Sequence, residues 1–200
     1  MYTEEEGRSA VRFARAVIER HLGIAGIEPP DLSRGFDEEC GAFVTLVTHP
    51  DRDLRGCIGY IEAVKSLRET LEDVAISAAT RDPRFPPVRA GEMDRLVVEV
   101  SLLTPLDRIP AHGEEIIHHV EIGRHGLVVE RGPYRGVLLP QVPVKYEWDV
   151  PTFLAHTCAK AGLPPDAWLD PLTTFHRFGA EVFEEVAPRG EVRRKDLRSC

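Results

Sequence analysis

Apolar residues recur at Val11, Ala14, Val17, Ile18 and Leu22, the three-and-four spacing of a single helical face. Thr3 and Glu6 stand just ahead as a capping box, in which the hydroxyl receives an orphan amide and the carboxylate reaches back. The pattern predicts an amphipathic helix over about residues 4 to 22, ended by Gly23. Ser66 and Glu69 repeat the box before Leu67, Leu71, Val74, Ala75 and Ala78, predicting a second helix that runs to about Thr80. Asp149 is a plausible cap for a third over about 150 to 161, with Pro151 in its first turn and Gly162 and Pro164 at its end.

Elsewhere the period drops to two. Ala42–Thr48 is rich in β-branched residues, and Leu54–Ile61 follows the turn signal Pro50-Asp-Arg-Asp53, so the two predict an antiparallel hairpin. Symmetry about that turn sets Cys57 opposite about Val44, which leaves Cys40 about 13 Å away along the strand, too far for the sulfurs to meet. Leu96–Leu103 alternates Val98, Val100 and Leu102 with Val97, Glu99, Ser101 and Leu103, so Glu99 and Ser101 share a face. Gly126–Glu130 and Gly136–Leu139 flank a turn and predict another hairpin, and residues 175–186 predict one final strand. Residues 23–39 read as a loop, Asp82-Pro-Arg-Phe-Pro-Pro87 as a rigid extended one, and Pro140-Gln-Val-Pro143 as a stop to pairing. There is no internal repeat and no regular strand-helix alternation, so the expected class is α+β: one domain over 1–200, an antiparallel, hairpin-rich sheet packed with about three helices.

Composition narrows the function classes. Hydrophobic residues at 42% and charged residues at 29% describe a chain that folds. A net charge of −8 argues against nucleic-acid binding, single strands included, because phosphate contacts need Lys and Arg; the Arg193-Arg-Lys195 run reads as a solvated tail. The acidic opening is no secretory signal and no apolar run approaches the ~18 residues of a membrane span, so the expectation is a cytoplasmic protein. Cys40, Cys57, Cys158 and Cys200 lack paired spacing, and no disulfide framework is expected.

The chemistry concentrates in Leu54-Arg-Gly-Cys-Ile-Gly59. Glycines inside a strand mark a bulge or a close approach by a ligand or another segment, here at Gly56 and Gly59. Cys57 is a nucleophile only as thiolate, a form Arg55 favours if the bulge turns both side chains to one cleft; in a regular strand the two share a face. The competing reading is a small buried cysteine in a glycine-rich crossing. His125 in Gly123-Arg-His-Gly126 reads as a base or as a turn residue, and Glu99 is a second proton acceptor. Arg81, Arg84 and Arg89 either grip a phosphate or carboxylate or pair with Asp82 and Glu92. Gln141 can donate and accept towards a polar ligand, while Trp148 reads as a core aromatic and Asp149 as a cap. Neither His112, His118 and His119 nor His156 with Cys158 has a metal-ligand spacing, so no metal site is predicted.

Together, Leu54-Arg-Gly-Cys-Ile-Gly59, Asp82-Pro-Arg-Phe-Pro-Pro87, Val98-Glu-Val-Ser-Leu102, Gly123-Arg-His-Gly126, Leu138-Leu-Pro-Gln-Val142 and Trp148-Asp149 resemble the AMME chromosomal region one (AMMECR-one) family along nearly the whole chain. Ala161-Gly-Leu-Pro-Pro165 through Trp168, with Phe183-Glu-Glu185, resembles its archaeal members. The resemblance implies an archaeal origin and a larger and a smaller sub-domain forming a cleft near the hallmark segment. It names no particular reaction, substrate or cofactor, and it associates prokaryotic members with Memo-like and radical-SAM proteins. Two readings follow. One is an enzyme or enzyme subunit in a small-molecule or nucleotide modification pathway, with Cys57, His125 and Glu99 catalytic and Arg55, Gly56, Gly59, Arg84 and Gln141 holding substrate. The other is a non-catalytic interaction module that partners a Memo-like or radical-SAM protein.

Overall fold

The computed structural model describes residues 2–62 and 64–196; Cys200 lies outside them. The chain clusters into two compact units, one built from residues up to Leu103 with Glu181–Lys195, the other from Thr104–Ala180.

In the first unit the predicted helices form as α1, Glu4–His21, and α2, Leu67–Thr80, each opened by its complete capping box. Gly23 follows α1 with φ of 78°, a left-handed value that glycine adopts without strain. The sheet consists of β1, Ala42–Thr48, with β2, Leu54–Tyr60, on one side and β3, Leu96–Leu103, on the other, all antiparallel. Val44, Leu46, Val98, Val100 and Leu102 meet Val11, Ala14, Val17, Ile18, Leu71, Val74 and Ala75 in one core. At about 1.5–3 kcal/mol for each large apolar side chain, this face supplies most of the unit's stability. Both faces of β3 are buried, so its alternation separates two covered faces rather than core from solvent.

A buried ionic knot closes the unit. Arg15 of α1 reaches Glu19 at 3.0 Å, grips Glu185 with two nitrogens and donates to the Leu96 carbonyl, while Glu185 also accepts the Val98 amide at 3.0 Å. Glu185 ends β7, Thr174–Glu185, a strand that contributes to both units.

Residues 192–195 overturn the expectation of a solvated tail. They form a strand, β8, Val192–Lys195, paired with the end of β7; between them lies β-free turn sequence with Arg189 at positive φ. Acidic partners explain the outcome: Arg193 pairs with Glu184 at 2.8 Å, Arg194 with Glu4 at 2.8 Å and Glu181 at 3.0 Å, and Lys195 with Glu99 at 2.8 Å. The expectation of a single final strand is corrected accordingly.

The second unit carries the predicted hairpin of β5, His125–Arg131, and β6, Tyr134–Leu138, with β5 also pairing β7. A two-residue strand, β4, Asp107–Arg108, pairs the other side of β7 and has too little sequence to announce itself. Gln141–Lys145 forms a short helix, α3, after pairing stops, and α4, Val150–Lys160, begins at the expected Asp149 cap, whose side chain accepts the Thr152 amide. Leu127, Val129, Phe153, Leu154, Cys158 and Phe175 make the core, with Trp148 packed against it.

Candidate functional site

The hallmark segment is β2, an edge strand. Its register differs from hairpin symmetry by one: Cys57 lies opposite Thr45, and Val44 faces Ile58. The cause is a bulge, since Leu46 pairs with Gly56 while Val47 pairs with Leu54, leaving Arg55 as the extra residue. The strand is therefore irregular where regularity would aim Arg55 with Cys57. Arg55 pairs with Glu92 at 2.9 Å and lies 6.0 Å from the centre of the Phe85 ring. The guanidinium charge that bears on the thiol belongs to Arg84.

The glycines answer to close approach by protein. A Cβ on Gly56 would lie 2.2 Å from the Ala78 carbonyl oxygen, so α2 packs directly on the strand backbone. A Cβ on Gly59 would strike the Phe43 ring at 2.2 Å, and Phe43 is its cross-strand neighbour.

Beyond the ladder, the loop after α2 serves in place of another strand. Asp82 accepts the Cys57 amide at 2.8 Å, and Arg84 approaches the Cys57 carbonyl at 3.4 Å. This occupies the open rung that an edge strand presents at Cys57. Asp82 and Arg84 are themselves locked at 2.7 Å, so the surface-pairing reading of Arg84 is the one the geometry realises. Arg84 holds the Asp82 carboxyl well below the usual carboxylate range, opposed by burial and helped by the two backbone amides that it accepts.

On the face away from α1 and α2, a polar row crosses three strands. Cys57 pairs with Thr45, and Thr45 with Glu99, so the outer backbones stand about 10 Å apart. The Thr45 hydroxyl donates to the Cys57 sulfur at 3.2 Å, and Lys195 reaches Glu99 at 2.8 Å and Glu184 at 3.8 Å. Glu184 further receives Arg52 and Arg193. Burial pushes the half-buried Cys57 thiol up; the Thr45 hydrogen bond and Arg84 pull it down, while Glu99 and Asp82 push it further up. A thiol so placed stays protonated at neutral pH.

Arg55, Gly56, Cys57, Gly59, Arg84 and Glu99 thus fall in the first unit, and His125 and Gln141 in the second. His125 opens β5, with Nδ1 accepting the Glu121 amide at 3.0 Å; burial lowers its pKa, as do Arg177 and Arg124. Gln141 opens α3 with its Oε1 buried and without a hydrogen-bond partner among the described residues. Trp148 stacks on His156 at 3.9 Å. Among the described residues no group of three or more His, Cys, Asp or Glu side chains is arranged to hold a metal ion, and no helix is long and apolar enough to cross a membrane.

The AMMECR1 profile matches residues 11–183, which include this strand, its bulge and the Asp82 loop. The chain belongs to the AMMECR1 family. It is 56% identical over 198 residues to Protein MJ0810 of Methanocaldococcus jannaschii, covering 98% of both chains, and 52% identical over 199 residues to a protein of Thermococcus gammatolerans, covering 97% of both. The crystal structure of the uncharacterized protein PH0010 from Pyrococcus horikoshii superposes with a TM-score of 0.89 at 50% identity, covering 97% of this chain and 98% of that one. The α+β class and archaeal relationship expected from sequence are therefore met in this AMMECR1 protein. Thr45 and Lys195 escaped the sequence reading as neighbours of the hallmark, since only the register and the unforeseen β8 bring them to the row.

Proposed function

We propose that this AMMECR1 protein is a non-catalytic interaction domain whose β2 edge, with the Asp82 loop fastened to it, engages a protein partner of the Memo-like or radical-SAM kind. The observation that carries the reading is that, among the described residues, the charged groups bearing on Cys57 are committed to other protein groups. Asp82 holds Arg84, Glu92 holds Arg55 and Lys195 holds Glu99, and the thiol between them is raised above its ordinary pKa. A nucleophilic cysteine requires the opposite electrostatics, with uncommitted positive charge or a base drawing off its proton. Leu54 and Tyr60 at the two ends of β2, and Val64 just beyond, are exposed at 40%, 38% and 66% and supply apolar contact for a partner.

The test is the rate of iodoacetamide alkylation at Cys57 in the native protein as a function of pH, read by peptide mass spectrometry. Slow modification with an apparent pKa above the ordinary ~8.5 is expected. Fast modification with an apparent pKa well below that value would overturn the reading and restore Cys57 as a nucleophile in an enzyme.

A further inference from the structure

The second unit contains a cavity of about 350 Å³ lined by Thr104, Asp107, Arg124, His125, Arg177 and Gly179. Its origin lies in the β5–β7 register. His125 pairs with Gly179, so the position beside the imidazole carries no side chain, and a Cβ there would come within 3.1 Å of Thr104. The next residue, Gly126, must also stay bare, because a Cβ would lie 2.3 Å from the Phe178 ring. The two glycines let Phe178 and Thr104 pack against the strand backbones, and the Gly123-Arg-His-Gly126 motif sets one arginine and one histidine on the wall of the cavity beside them.

The polar groups around that space are mostly donors. His125 Nδ1 accepts the Glu121 amide, which assigns the ring proton to Nε2 and makes the neutral imidazole a donor. Arg177 donates to Asp107 at 2.9 Å and to the His119 carbonyl at 2.9 Å, and the two contacts orient its guanidinium. Arg124 lines the cavity and contacts Glu121 at 3.1 Å while its side chain remains 63% exposed, and among the described residues its other guanidinium N–H groups have no hydrogen-bond partner. The two cations outweigh Glu121 and Asp107 at the imidazole, whose pKa is lowered by burial and by Arg177 and Arg124.

We propose that this cavity binds the oxyanion group, phosphate or carboxylate, of a small metabolite, with Arg177 and Arg124 supplying charge and His125 Nε2–H a neutral donor. Paired guanidinium and imidazole donors match oxyanion lone pairs, and the volume limits the ligand to a small molecule. This role for His125 is independent of Cys57 and of any partner at β2.

The experiment is NMR titration of the full-length protein with inorganic phosphate, and separately with acetate, at ionic strength held constant with chloride while the His125 ring signals are followed. Saturable movement of the ring signals with a dissociation constant on the order of millimolar is expected for at least one anion. Arg124→Gln, an exposed change, should weaken that binding about five-fold without altering the rest of the spectrum. Saturation by phosphate alone assigns a phosphoryl ligand and saturation by acetate alone a carboxylate. If neither anion moves the ring beyond chloride, or if Arg124→Gln binds as tightly as the parent, the proposal is wrong.

Discussion

Gly56→Ala tests the packing of the hallmark strand directly. The added Cβ would sit 2.2 Å from the Ala78 oxygen and 3.2 Å from its carbonyl carbon, against an ordinary contact of roughly 3.5 Å. Strand and helix must part by about 1 Å. Ala78 lies in the last turn of α2, whose Leu71, Val74 and Ala75 are fully buried, so the helix cannot lift without loosening the core beneath it. Overpacking of this kind costs about 1–3 kcal/mol. Removing a glycine's unfolded-state freedom returns about 0.4–1 kcal/mol, for a net loss of about 1–2 kcal/mol. For a chain of this length that corresponds to a fall in Tm of about 2–8 °C. Urea unfolding followed by circular dichroism should show it, with Gly91→Ala as control, because a Cβ at Gly91 meets nothing within 4 Å. Equal stability of the two variants would refute the contact between α2 and the β2 backbone.

Arg15→Met should lower stability by about 3–5 kcal/mol, since Glu185, 2% exposed, is left without its guanidinium; a loss below about 1 kcal/mol in urea unfolding would mean that other groups satisfy it. Asp82→Asn removes a carboxyl whose folded pKa is depressed, chiefly by Arg84. The stability such a group contributes is fully present above its unfolded pKa of ~3.9 and is lost as pH falls towards the folded value. The gap between parent and variant should thus stay constant from neutral pH down to about 5 and narrow below about 4, and a gap that widened on acidification would contradict the ion pair.

Most of the secondary structure was legible in the sequence because it rests on local signals. The capping boxes at Thr3 and Ser66, the Asp149 cap and the period-two run of β3 appear where spacing places them. The candidate site was legible in part: Cys57, Arg84 and Glu99 were marked, and the glycines did signal a bulge and a close approach. Their partners were not visible. Asp82 reaches Cys57 across 25 residues, and Lys195 reaches Glu99 across 96. Arg193–Lys195 carried the composition of a tail and became a strand, because Glu184, Glu181 and Glu4 lie where those charges are neutralised.

The sequence by itself determined where α1, α2 and α4 begin and where β1, β2, β3, β5, β6 and β7 run, because caps and periodicity act within a few residues of the chain. Tertiary structure alone decided what those faces meet. One bulge at Arg55 moved Cys57 from Val44 to Thr45 and sent the arginine to Glu92, while the loop after α2 put Arg84 near the thiol and burial raised its pKa. The glycines of β2 signal a break in the ladder but not which residue then faces Cys57, and burial and long-range charge pairing depend on segments distant in the chain.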